Sequence, residues 1–185
     1  MATTKDALFN DINTQQDQSS SGNSTGQRDE VLSFYLAEEE YAIDILRVQE
    51  IRGWGNVTRI PRMPDYVKGV LNLRGSVVPV IDLRLRFGLE SIEYGPTTVI
   101  IIVTIYTNQK KRDMGVVVDA VSDVYALSSD EIKPPPEFGG NVDGCFLKGL
   151  ITKEEQMIIV LDIDRILNSG ELALIQDMPN QQQTS

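Results

Sequence analysis

The sequence predicts a mainly β protein, built as two small barrels of about five strands each around one core. Two observations carry that prediction. Short runs of β-branched and aromatic residues recur between turn signals, and few segments have helical spacing. The chain also repeats itself. Val67-Lys68-Gly69-Val70-Leu71 reads against Leu147-Lys148-Gly149-Leu150-Ile151, and Val77–Leu83 (VVPVIDL) against Met157–Ile163 (MIIVLDI), both at an offset of 80 residues. Upstream, an offset of 73 pairs Val48-Gln49-Glu50-Ile51 with Val121-Ser122-Asp123-Val124, and Pro61 with Pro134. The difference falls in the Pro/Gly-rich stretch 134–144, where an insertion disturbs little.

The elements follow in order. Residues 1–28 are polar and read as a disordered tail, and 179–185 as a flexible end, leaving one folded region over 29–178. Val31–Leu36 and Tyr41–Ile43 flank the acidic turn Glu38-Glu39-Glu40 as a hairpin. Asp44 stands where an N-cap would. Ile45, Val48 and Ile51 follow at helical spacing as far as Gly53, predicting a helix of about two turns after the second strand. Val67–Leu73 and Val77–Leu83 make a strand pair around Arg74-Gly75-Ser76. Thr97–Tyr106 and Met114–Val118 make another around the polar turn Thr107–Asp113. Val121–Leu127 reads as extended or briefly helical, Met157–Leu161 as a strand, and Ile163–Gln176 as a closing helix.

Composition narrows the function. With 27 acidic against 17 basic residues the net charge is −10. Such a surface repels phosphate backbones and anionic bilayers, so nucleic acid and direct membrane insertion are not expected. One cysteine, Cys145, forms no internal disulfide, and the N-terminus has no secretory signal pattern, which points to the cytoplasm. Histidine is absent. That removes Ser–His–Asp and Cys–His catalysis and His-ligated metals, and no phosphate-binding glycine loop appears. We therefore expect no enzyme, no cofactor and no metal. The competing enzymatic reading would rest on Asp44, Asp82 and Asp162, but Asp82 and Asp162 are repeat equivalents and read as backbone-bonding residues.

The repeat breaks at one turn. Asn72-Leu73-Arg74-Gly75-Ser76 stands opposite Thr152-Lys153-Glu154-Glu155-Gln156, so the fold does not demand an arginine there. Two readings stay open for Arg74. It is a five-donor fork for a partner's carboxylate or backbone oxygens, or a solvated turn residue pairing with Asp65 or Asp82.

Several runs together resemble a known family. They are Glu39–Ile45 (EEYAIDI), Val48–Gly53 (VQEIRG), Lys68–Gly75 (KGVLNLRG), Val78–Arg84 (VPVIDLR) and Gly115–Asp119 (GVVVD). In this order they resemble the CheW family of bacterial chemotaxis coupling proteins, from about Val31 to the last helix. The resemblance implies two intertwined SH3-like barrels and a scaffold joining chemoreceptor cytoplasmic tips to the histidine kinase CheA through its CheW-like regulatory domain. It also implies rings that include further copies of the same domain, at the inner face of the plasma membrane. A helical receptor tip would be met by apolar anchors with polar groups setting register. The resemblance thus singles out Val48, Glu50, Ile51, Asn72 and Arg74, with Gly69 and Gly75 acting through backbone geometry.

Overall fold

A computed structural model describes residues 29–107, 110–128, 130–136 and 146–168. The two terminal tails, the end of the expected closing helix and most of the 134–144 stretch lie outside these residues.

The strands are β1 (Asp29–Leu36), β2 (Glu39–Asp44), β3 (Val48–Gly53), β4 (Val67–Leu73), β5 (Ser76–Asp82), β6 (Val99–Thr107), β7 (Lys110–Val118), β8 (Ala120–Leu127), β9 (Leu147–Lys153) and β10 (Gln156–Leu161). Two short helices, α1 (Leu83–Arg86) and α2 (Ile163–Asn168), follow β5 and β10. One sheet has the order β8-β1-β2-β10-β9 and the other β3-β6-β7-β5-β4. Under the repeat, β1–β5 correspond to β6–β10, and the two orders become the same order. Each sheet therefore takes its first hairpin from one half of the sequence and its last three strands from the other. The halves are intertwined, and neither makes a sheet by itself.

The equivalences extend to single hydrogen bonds. The Asp82 N–H donates to the Tyr66 carbonyl at 2.7 Å, and the Asp162 N–H to the Phe146 carbonyl at 2.8 Å. Thr58 exchanges two backbone bonds with Val70, as Lys133 does with Leu150. Asp82 and Asp162 each accept a backbone N–H three residues on, from Leu85 and Arg165, both at 3.1 Å. These aspartates cap α1 and α2, as the repeat suggested, and Asp44 likewise accepts from the Leu46 N–H at 2.9 Å. All three aspartates named in the enzymatic reading hold backbone amides.

Burial explains the strand sequences. The shared core joins Leu32, Phe34, Leu36 and Ile43 of one sheet to Ile101, Val103, Ile105, Met114, Val116 and Val118 of the other, closed by Ile163, Ile166 and Leu167 of α2. Alternate positions line each barrel's own interior. Leu71, Val78 and Val80 do so in one, and their equivalents Ile151, Ile158 and Val160 in the other. A strand such as β6, buried on both faces, reads as a continuous apolar run for this reason.

Three expectations change. The helix expected from Asp44 to Gly53 is a three-residue 3-10 turn, Ile45–Arg47, followed by strand β3. Val48 pairs with Val103 and Ile51 with Ile101, while Glu50 pairs with Ile102. A bulge at Gln49 adds one residue, so positions three apart return to one face and imitate helical spacing. The polar stretch expected as the turn Thr107–Asp113 continues the ladder instead, out to a Thr107–Lys110 pair, because Ile105 and Met114 keep their alternating inward positions. In the first hairpin the turn sits at Ala37-Glu38, and Glu39 and Glu40 already belong to β2.

Candidate functional site

The turn between β4 and β5 brings Asn72, Arg74 and Gly75 together. Leu73 pairs with Ser76, leaving Arg74 and Gly75 as a two-residue loop at φ 52° and 89°. Positive φ at both central residues is the twist that a tight hairpin needs, and glycine takes it without strain. The Asn72 Oδ1 accepts the Gly75 N–H at 2.8 Å and holds the loop shut. Arg74 is thereby projected from the sheet, with its side chain 84% exposed.

Arg74 meets neither Asp65 nor Asp82. Its Nη2 donates to Glu50 Oε2 at 3.1 Å, across from β3. Val77, which pairs with Asn72, and Ile51, which follows Glu50 on β3, are both exposed, but strand alternation puts them on the sheet face opposite Glu50. The result is an exposed charged pair that links the tip of the β4–β5 hairpin to β3. Val48 is placed differently. It is partly buried against the shared core, and the bulge turns it and Ile51 to the face away from Glu50. The spacing predicts Val48, Glu50 and Ile51 on one helix, whereas the structure brings together Glu50, Asn72, Arg74 and Gly75 and leaves Ile51 exposed on the other face of β3.

Gly69 stands apart from that cluster. It lies at φ 137°, and a Cβ there would stand 2.0 Å from the Thr58 carbonyl oxygen. Its lack of a side chain admits the Thr58–Val70 bridge. Gly149 repeats the device, with a Cβ position 2.8 Å from the Lys133 oxygen.

Two largely buried ion pairs fix the crossings between sheets. Arg84 of α1 donates to Asp119, the single residue between β7 and β8, at 2.5 Å, and the same carboxylate oxygen accepts the Ala37 N–H at 2.7 Å. At the β2–β3 crossing Arg47 makes a forked contact to Asp164 of α2, at 2.5 and 3.2 Å, and lies 4.5 Å over the Tyr106 ring. Beside that crossing Leu46 and Tyr106 are exposed. Sequence reading did not single out Leu46, Tyr106 or Val77, since nothing in an alternating strand marks an outward apolar residue. Among the described residues no cluster of acidic or cysteine side chains has a metal-binding arrangement, and no helix is long and apolar enough to cross a membrane.

Residues 30–171 match the CheW-like domain family. The chain is 46% identical over 157 residues to the chemotaxis protein CheW of Klebsiella aerogenes, covering 85% of this chain and 91% of that one. It is 36% identical over 142 residues to the chemotaxis protein CheW of Rhizobium meliloti, covering 77% and 89%. Among solved structures it resembles the scaffolding protein TtCheW from Thermoanaerobacter tengcongensis, with a TM-score of 0.68, 34% identity, and coverage of 77% of this chain and 94% of that one. The intertwined sheets, the Asn72–Gly75 turn and these matches together place the chain in the CheW-like domain family.

Proposed function

We propose that the chain is a non-catalytic chemotaxis scaffold that couples membrane chemoreceptors to the histidine kinase CheA. In this reading residues 29–178 form the working domain, with 1–28 and 179–185 as tails. The protein is cytoplasmic, and the receptors recruit it to the inner face of the membrane. The kinase's CheW-like domain and further copies of this chain join it in rings. The relatives' names supply the pathway, and the Arg74–Glu50 pair is the observation that carries the assignment of a binding surface.

That pair is poorly explained by stability. An exposed ion pair contributes about 0–1 kcal/mol, and the equivalent turn of the second repeat closes with Glu154 and Glu155 in its place, at φ 48° and 70°. An arginine held in a left-handed turn and extended from the sheet suits recognition of polar groups on a receptor helix. Glu50, Asn72, Arg74 and Gly75 form this surface, with Ile51 on the other face of β3. Val48 contributes from the crossing side, and Gly69 keeps β4 in place.

The test is co-sedimentation of the purified chain with receptor-bearing membranes, with and without the kinase. Saturable binding to both partners, and a ternary complex on one membrane, is the expected result. Binding to neither would overturn the proposal.

A further inference from the structure

The repeat carries the Arg74 surface twice. Glu50, Ile51, Arg74 and Val77 correspond to Asp123, Val124, Glu154 and Met157 on the other sheet. The apolar members are equally exposed, with Ile51 at 43% and Val124 at 44%, Val77 at 58% and Met157 at 59%. Both turns hold their two central residues at positive φ. The charge at the turn is inverted. Where Arg74 neutralises Glu50, the second copy offers Glu154 and Asp123. Lys153, next in the chain, is engaged by Glu131 at 2.5 Å.

A buried group points the same way. Glu40 is 5% exposed, and its Oε1 has no hydrogen-bond partner among the described residues. Its equivalent in the other sheet, Asp113, accepts a bond from Thr104 at 2.7 Å. Glu40 pairs with Tyr35 and Tyr125 with Val31, which puts Glu40 and Tyr125 on the same face of their sheet. Partial burial, and then the fields of Glu40, Asp123, Tyr35 and Glu154, raise the Tyr125 phenol above its ordinary range. The charges converging there are all negative, and an unpaired buried carboxylate oxygen is costly unless a cation compensates it.

We propose that the face of the β8-β1-β2-β10-β9 sheet that carries Glu40 and Tyr125 is a second docking surface, which takes an arginine side chain of a partner protein between Asp123 and Glu154, while Val124 and Met157 lie on the other face. A guanidinium matches a carboxylate in fork geometry and stacks on a tyrosine ring, here Tyr125. The incoming arginine thus fills the role that Arg74 fills from within the chain on the other sheet. The anionic surface of the whole protein favours the approach of such a segment.

The experiment titrates the isotope-labelled full chain with the peptide acetyl-Leu-Arg-Ile-Arg-Leu-amide and, separately, its glutamate counterpart, followed by amide NMR. Saturable shifts at 123–125 and 154–157 with the arginine peptide alone are expected. Glu154→Arg should weaken binding tenfold or more and lower the Tyr125 pKa, Glu154→Gln should weaken it less, and Arg74→Glu should leave the shifts at 123–125 and 154–157 unchanged. Equal response to the glutamate peptide, absence of saturable binding, or unchanged binding by a folded Glu154→Arg chain would overturn the proposal. Because Arg74→Glu tests the receptor surface separately, the failure of either assignment leaves the other intact.

Discussion

Arg84 and Asp164 occupy the same position in the two repeats with opposite charges, and each pins the crossing between sheets that its own helix faces. Arg84 holds Asp119 and Asp164 holds Arg47, both at 2.5 Å. The swapped architecture is thus clasped twice by the same device with its polarity reversed.

Breaking one clasp leaves a largely buried partner. Arg84→Ala strands Asp119 and frees the Glu90 carbonyl, to which Arg84 Nε also donates. A loss of about 1–3 kcal/mol is expected from hydrogen bonds to charged groups at such sites. Urea unfolding of the variant measures it.

Gly69→Ala should be the more damaging glycine substitution. Its Cβ would meet backbone that cannot swing aside, at a φ unfavourable to side chains. A cost of at least about 2 kcal/mol follows from strain and overpacking together. Gly75→Ala has open space around it, so its cost is limited to backbone strain, about 1 kcal/mol. Thermal melts of the two variants side by side test the ranking.

Tyr94 closes one barrel interior. Its hydroxyl donates to the buried Asp82, its ring lies 4.2 Å from that of Trp54, and burial followed by the Asp82 hydrogen bond holds its phenol well above the usual range. Tyr94→Phe removes a donor from a buried carboxylate, and a loss of about 1–3 kcal/mol is expected. Chemical denaturation with and without the substitution measures it.

Acid should reveal Glu131. The Lys153 hydrogen bond, then the Ser128 backbone N–H, lower its carboxyl from 4.5 to about 2. A lowered folded pKa gives stability that is present above the unfolded value and lost as pH falls through the folded one. The Glu131→Gln chain should therefore lack the part of the acid-induced loss that falls between pH 4.5 and about 2. Melting temperature against pH for both proteins makes the comparison.

Legibility in the sequence followed the range of each interaction. Strands were legible wherever alternation was local, and the Asp82 and Asp162 caps were legible because the repeat matched them. The helix expected over Val48 and Ile51 failed because a bulge at Gln49 reproduces an i, i+3 step, and only the register against β6 distinguishes the two. The exchange of strands between halves leaves local sequence unchanged, so the repeat alone did not show which hairpin joins which sheet. Arg74 was legible as an exception to the repeat. Its partner Glu50 lies 24 residues away on another strand, and its place beside Arg74 depends on how the sheet assembles.

The central claim, that Arg74 serves binding and not folding, is tested most directly by Arg74→Glu measured for both properties on one preparation. Binding to receptor-bearing membranes should fall at least tenfold, with the melting temperature within about 2 °C of the parent, as expected for an exposed pair. A collapse of the melting temperature, or full receptor binding by the folded variant, would contradict it.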